Sequence, residues 1–293
     1  MMTAIRDFLG MIRFSHTVFA LPFALVSAVL AWQRPSFPWP QLAGIVLCMI
    51  LARSAAMAFN RLADRRYDAV NPRTAGRHLV TGRLTARGVQ LFAAACGIGF
   101  IATTATFLLS DPPNPWPLYL SIPVLVFICA YSLTKRFTRF AHFWLGASLM
   151  LAPVAAWIAI RGMQDLLVPV IAGAAVLFWV SGFDVIYACQ DIEVDRQEKL
   201  HSIPARFGVD ASLRLALACH LMMLLILVVL GFAAPELGVV YFIGLAAIAV
   251  LVGYQHWLVR PDDLTRVNRA FFQVNAAISI GFFAIVLIQV LAS

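Results

Sequence analysis

Charge is what this chain has little of: Asp, Glu, Lys and Arg together make up 12% of its 293 residues, about half the share in an ordinary soluble domain. Hydrophobic residues fill 62% of it, which excludes water as its main solvent. Cysteine is sparse and unpatterned. Cys48, Cys96, Cys129, Cys189 and Cys219 all fall in apolar stretches with no CxxC spacing, so neither a disulfide framework nor a zinc site is indicated. A cleavage site is lacking as well. Arg6 and Arg13 precede an apolar stretch as in a leader, but Trp32, Gln33, Arg34 and Pro35 follow it where small residues would be needed, so a retained helix is expected.

What is present is apolar sequence in long runs. A helix needs about 20 residues to cross about 30 Å of hydrocarbon, and such runs predict spans at 14–32, 41–59, 88–109, 116–132, 140–160, 166–189, 211–230, 237–258 and 270–291. The expected fold is an all-α integral membrane protein, a bundle of nine transmembrane helices. Trp32, Trp39, Trp116 and Trp257 sit near span ends, as in an aromatic belt at the lipid interface.

The net charge of +8 would suit a nucleic-acid partner, but its placement points elsewhere. Arg34 and Arg161 fall in odd-numbered loops, while the other 20 of 22 basic residues lie at the N-terminus or in the even-numbered loops and their flanks. This asymmetry puts the N-terminus and even loops in the cytoplasm and the C-terminus outside, in the inner (cytoplasmic) membrane. The partners expected are a lipid bilayer and small-molecule substrates. Nucleic acid is not expected, and no obligatory protein partner is evident.

Two cytoplasmic connections hold seven of the 14 acids, residues 60–87 after span 2 and 190–210 after span 6. In each, an apolar helix runs into Asp-x-x-x-Asp and then a basic segment containing proline. Such weak symmetry is expected where a membrane site forms between two repeats, and here duplication and chance remain equally open. Counted at 100° per residue, Asn60, Asp64 and Asp68 lie within an arc of about 80°. Asp184, Tyr187, Asp191, Asp195 and Glu198 fall within a similar arc of about 80°.

Carboxylates at the end of a membrane helix are costly to desolvate and need cations. Two Asp pairs, with Arg53, Arg61, Arg65, Arg66, Arg73, Arg77, Lys135 and Arg136 near the same membrane face, suit a diphosphate bridged by Mg²⁺. That ion takes one or two carboxylates and completes its shell with phosphate and water, while Arg and Lys bind the outer oxygens. One such cluster alone would be read as surface ion pairs of little energetic value. Two with regular four-residue spacing on one face favour a site.

These residues resemble the UbiA superfamily of intramembrane aromatic prenyltransferases over most of the chain. The family's first acidic element is matched by Asn60-Arg61-Leu62-Ala63-Asp64-Arg65-Arg66-Tyr67-Asp68, followed by Asn71-Pro72-Arg73-Thr74-Ala75-Gly76-Arg77. Its second is matched by Tyr187-Ala188-Cys189-Gln190-Asp191-Ile192-Glu193-Val194-Asp195, and Tyr131-Ser132-Leu133-Thr134-Lys135-Arg136 also fits. The resemblance implies one prenyltransferase domain over 1–293 with its active site on the cytoplasmic side. It implies that Asn60, Asp64, Asp68, Asp191 and Asp195 hold Mg²⁺ and diphosphate, the four Asp being the metal ligands and catalytic acids. Arg53, Arg73, Arg77 and Lys135 would clamp the phosphates, and Tyr131 and Tyr187 would line the centre. The implied reaction moves a polyprenyl group from polyprenyl diphosphate to an aromatic acid such as 4-hydroxybenzoate, releasing pyrophosphate. Departures from the commoner pattern are Arg61, where Asp is usual, and Ser15-His16-Thr17 near the start of the first helix. Both bear on the acceptor, and the stretch 14–22 with Asn60-Arg61 also resembles a branch serving menaquinone synthesis by the futalosine route.

Single residues outside the motifs are open to two readings. Asp184, deeper by position, would orient a ligand, act as a base or pair with Arg or Tyr. His16 reads as an interfacial anchor, and His78 and His201 as loop residues, since no second His or Cys stands at ligand spacing. Among other functions, a CDP-alcohol phosphotransferase would need an Asp-Gly-x-x-Ala-Arg element that no stretch supplies. An ion-coupled transporter would place its acids near the membrane midplane, whereas these gather at one face.

Overall fold

The computed structural model describes residues 2–12, 21–32 and 39–292, and among them no β-strand is formed. Helix α1 spans Met2–Met11, α2 Leu21–Ala31 and α3 Trp39–Ala63, with a short α4 at Arg65–Val70. Then come α5 (Ala86–Ala105), α6 (Trp116–Thr134), α7 (Ala141–Arg161) and α8 (Leu167–Ala188), followed by the two-turn α9 at Ile192–Gln197. The chain closes with α10 (Ile203–Ala233), α11 (Val239–Leu258), the single turn α12 (Val267–Arg269) and α13 (Asn275–Ala292).

Among the described residues, eight helices are long and apolar enough to cross a membrane. They match the second to ninth predicted spans. The first predicted span is represented by α2, 11 residues long; residues 14–20, and with them Ser15, His16 and Thr17, lie outside the described residues. Within α10 the chain kinks at Gly208, whose φ of 79° suits a residue without Cβ, so a short first segment from Ile203 is set off from the long helix that follows, close to the predicted start at 211. Its start is fixed by Ser202, whose side chain accepts from the Ala205 amide.

Helix α8 is the axis of the bundle, with 61% of its most apolar window buried, against 17% for α6. Trp179, Val180, Val185 and Ile186 on α8 pack with Phe23 of α2, Met223 and Leu227 of α10, and Phe282 of α13. Lipid offers no hydrophobic drive between helices, so close backbone approach has to supply the packing. A Cβ at Gly146 would stand 2.4 Å from the Leu177 carbonyl oxygen and Ser181 Oγ, and one at Gly182 would stand 2.5 Å from the His220 ring. These contacts hold α7 and α10 against α8, and so fix the lower walls of the polar cluster described next.

Candidate active site

Both acidic elements sit where a long helix ends, but neither lies on an unbroken helix. Helix α3 stops at Ala63, and Asp64 takes φ −92°, ψ 3° before α4 begins. The four-residue register nevertheless passes through the break, since the Asp64 amide donates to the Asn60 carbonyl at 2.9 Å and that of Asp68 to Asp64 at 2.8 Å. The first acidic stripe therefore survives. The second does not hold as drawn: α8 gives way to a tighter turn at Cys189–Asp191, and Asp191 takes φ −108°, ψ 7° before α9. A uniform 100° count cannot run through a turn of three residues per repeat, so Asp195 and Glu198 are placed by α9 and not by the axis of α8.

Asn60 donates to Asp64 at 3.0 Å and lies 3.3 Å from Ser132 Oγ on α6. Lys135, just past α6, brings Nζ to 3.1 Å from Asp64 Oδ2. Arg136 stands 3.8 Å from the other oxygen and donates to the Ala63 carbonyl at 2.6 Å. Asp68 is paired with Arg77, and its carbonyl accepts from Thr74 Oγ1 at 3.1 Å. Asp64 and Asp68 are both buried.

The two elements meet, although they are more than a hundred residues apart. Asn71 donates to Asp191 at 2.8 Å, and Arg73 donates through Nε at 2.9 Å to the same oxygen and through Nη2 to the other. This is a two-pronged guanidinium–carboxylate contact. Arg73 also donates to Tyr187 OH at 2.8 Å and stacks over that ring at 4.9 Å. Burial opposes the charge on Arg73, but the hydrogen bond and charge of Asp191 outweigh it and hold the guanidinium above its ordinary pKa. Asp195 differs: among the described residues no ion pair joins it, and its partner is the Ser202 hydroxyl. It borders a cleft of about 440 Å³ lined by Arg139, Arg196, Lys199 and Arg206.

Of the expected phosphate ligands, Arg73, Arg77 and Lys135 thus reach the acids and are held by them. Arg53 stands apart. It lies seven residues before Asn60 on α3, about 10 Å deeper along the axis, and its Nε is buried without a hydrogen-bond partner. Tyr131 lies within electrostatic reach of both Asp64 and Asp184, and Tyr187 packs against Phe271 at 4.2 Å between centroids. Arg61, the departure from the common pattern, is buried; it donates to the Met11 carbonyl at 3.3 Å and to Asn60 Oδ1 at 2.9 Å, tying α1 to α3. His78 faces Asp7 at 3.7 Å, and the His201 amide donates to the Lys135 carbonyl at 2.7 Å.

Sequence reasoning missed Asn71, Ser202 and His142. Asn71 precedes Pro72 in a quoted motif, and its bond to the Arg73 amide at 2.9 Å is the turn that Asn-Pro signals. Ser202 precedes Ile-Pro in the pattern of a helix start. For His142, which pairs with Asp184 at 2.7 Å, 42 residues of separation carry no signal.

Residues 20–281 match the UbiA prenyltransferase family. The chain is 32% identical to a 4-hydroxybenzoate octaprenyltransferase of Marinobacter nauticus over 81% of its length and 79% of that protein's, and 32% identical to one of Methylobacillus flagellatus over 84% and 82%. Among solved structures, it superposes with TM-score 0.82 on a UbiA homolog from Aeropyrum pernix K1, 32% identical, covering 93% of this chain and 97% of that one. A UbiA homolog from Archaeoglobus fulgidus, solved with DMAPP and Mg²⁺, shares the fold at TM-score 0.76 and 19% identity, over 98% of this chain and 100% of that one.

Proposed function

Because this chain belongs to the UbiA prenyltransferase family, we propose that it transfers a polyprenyl group from polyprenyl diphosphate to a ring carbon of 4-hydroxybenzoate or a related aromatic acid, releasing pyrophosphate. The observation that carries this reading is the junction of Asn71, Arg73 and Asp191, which gathers acids and cations from both elements at one end of the bundle. The aromatic acid is the one that the similar octaprenyltransferases act on.

The donor set fits Mg²⁺. Asp64 Oδ1 is buried without a hydrogen-bond partner, and the acids offer only hard oxygen ligands. Among the described residues no three His, Cys, Asp or Glu gather as a cage, but magnesium commonly takes one or two carboxylates and leaves the rest of its shell to phosphate and water. Asp64, Asp68, Asp191 and Asp195 would hold it, with Asn60 orienting Asp64. When bound, it supplies Lewis-acid stabilisation of the charge on the leaving diphosphate.

The chain's own groups do the rest. Arg73, Arg77 and Lys135, matched to acids in the free protein, exchange carboxylate for phosphate oxygens, so each acid is released as its cation is recruited. Building this exchange into one network gives each cation an oxygen partner both before and after the diphosphate arrives. Departure of the diphosphate leaves an allylic cation, which the faces of Tyr187 and Tyr131 stabilise without offering a strong nucleophile. The phenol's ring carbon attacks. The apolar tail lies along the thinly covered side of the bundle, where α6 faces lipid.

The test is pyrophosphate release by the purified protein given Mg²⁺, geranyl diphosphate and 4-hydroxybenzoate. Release should require all three and stop with chelator; release without divalent ion would contradict the Mg²⁺ role, and no release across a panel of phenolic acids would contradict the reading. The inner membrane, with the acidic face cytoplasmic and the C-terminus outside, is the topology that the placement of basic residues supports. A cysteine placed at Ala69 should escape an impermeant reagent in intact cells while one added after Ser293 reacts; the reverse would overturn it.

A further inference from the structure

Below the layer of paired acids, the first turn of α7 meets the last turn of α8 at a second polar pair. His142 Nδ1 lies 2.7 Å from Asp184 Oδ2, and their side chains are 6% and 15% exposed. A carboxylate only accepts, so Nδ1 carries a proton, and in the neutral ring the lone pair is then on Nε2. That Nε2 is buried and has no hydrogen-bond partner.

The pair borders the proposed reaction centre. Asp184 precedes Asp191 by seven residues, about 10 Å deeper along the helix axis. Tyr131 is within electrostatic reach of Asp184 and Asp64 together, and Asp195 is within reach of His142. Asp64, Asp68 and Asp191 are each engaged by a cation, whereas among the described residues no side chain or backbone group engages His142 Nε2. An imidazole backed by a carboxylate is a good proton acceptor. As a mere tie between α7 and α8 the pair would add little, because these helices already touch at Gly146 and Ser181 Oγ lies 3.3 Å from the His142 carbonyl. A tie would also leave the bare, buried Nε2 unexplained.

We propose that His142 is the base that takes the ring proton, and that Asp184 is its positioning residue; the assignment rests on the prenyl-transfer reading above. The allylic C–O bond breaks with its electron pair going to the diphosphate oxygen. The ring carbon beside the phenol hydroxyl gives a pair to the allylic cation, forming the C–C bond. The C–H pair then returns to the ring, restoring aromaticity, while the proton moves to Nε2 and leaves later with pyrophosphate or to solvent.

The experiment compares wild type, His142→Gln and Asp184→Asn in lipid nanodiscs with Mg²⁺, geranyl diphosphate and 4-hydroxybenzoate, the acid either protiated or deuterated at both carbons beside the hydroxyl. Glutamine keeps a donor to Asp184 without a basic atom. His142→Gln should lower kcat on the order of 10²–10⁴-fold, leave KM for the diphosphate little changed, and make the deuterated acid react more slowly, an isotope effect absent in wild type. Asp184→Asn, which favours the other ring tautomer, should show the same isotope effect with a smaller loss. A kcat near that of wild type in His142→Gln, or a lower kcat without an isotope effect, overturns the proposal in favour of a helix tie. Should His142→Gln fail to fold, Asp184→Asn decides by the same isotope criterion. Wild type that turns over normally while both variants are unaffected refutes only the base; wild type that releases no pyrophosphate with any acceptor refutes the parent reading and this assignment together.

Discussion

The segment after α3 and the segment after α8 carry the same Asp-x-x-x-Asp spacing, yet the fold treats them differently. In the first, Asp64 and Asp68 are buried and each faces a cation, Lys135 at Asp64 and Arg77 at Asp68. In the second, none of α9 is buried, and Asp195 forms no ion pair among the described residues, with the Ser202 hydroxyl beside it and Lys135 within electrostatic reach. The difference teaches that like motifs need not be like sites: the first is a closed, charge-matched unit, and the second is open toward a basic cleft. Arg73 belongs to the first segment in sequence and to the second in contact, and so couples them.

The largest effect should come from removing the acids. Asp64→Asn, Asp68→Asn, Asp191→Asn and Asp195→Asn are each expected to cut turnover by at least about 10²-fold, the loss of an electrostatic contribution near 3 kcal/mol. The comparison sharpens when stability is read beside activity. Asp68→Asn strands Arg77 in a largely buried place and should lower stability by about 2 kcal/mol, whereas Asp195→Asn should leave the thermal midpoint in detergent unchanged. Equal losses of stability would erase the contrast between closed and open segments, and activity above about a tenth of wild type in two of the four would sink the site.

A smaller effect is expected at Lys135. Its ammonium sits 3.1 Å from Asp64 and reaches phosphate as a point charge. Lys135→Ala should raise KM for the prenyl diphosphate and slow turnover, with less change in KM for the aromatic acid. If KM for the diphosphate and kcat both stay put, the lysine is a topology signal and nothing more.

The second to ninth spans and the places of both acidic elements were legible in sequence because apolar runs and four-residue spacing are local properties. The junction was not. Nothing in the order of residues says that Arg73 reaches Asp191 and not Asp68, since that choice is made by the turn at Asn71 and by the packing of α8 against its neighbours. The second stripe was misdrawn because a single helix was assumed through Cys189–Asp191, where the chain tightens. Arg61, a departure that bears on the acceptor, also braces α1 against α3, a contact that its place in the motif does not signal. His142 gave no sign at all, standing alone at the start of an apolar helix until the fold set Asp184 beside it.

The account turns on the claim that the joined acid–cation network is where a metal–diphosphate complex exchanges partners with Arg73, Arg77 and Lys135. Titration of geranyl diphosphate into the purified protein, with and without Mg²⁺, in wild type and Asp191→Asn, tests it most directly. Binding should depend on Mg²⁺ in wild type and weaken by at least about tenfold in the variant, the loss of roughly 1.4 kcal/mol; equally tight binding without Mg²⁺, unaffected by Asp191→Asn, would contradict it.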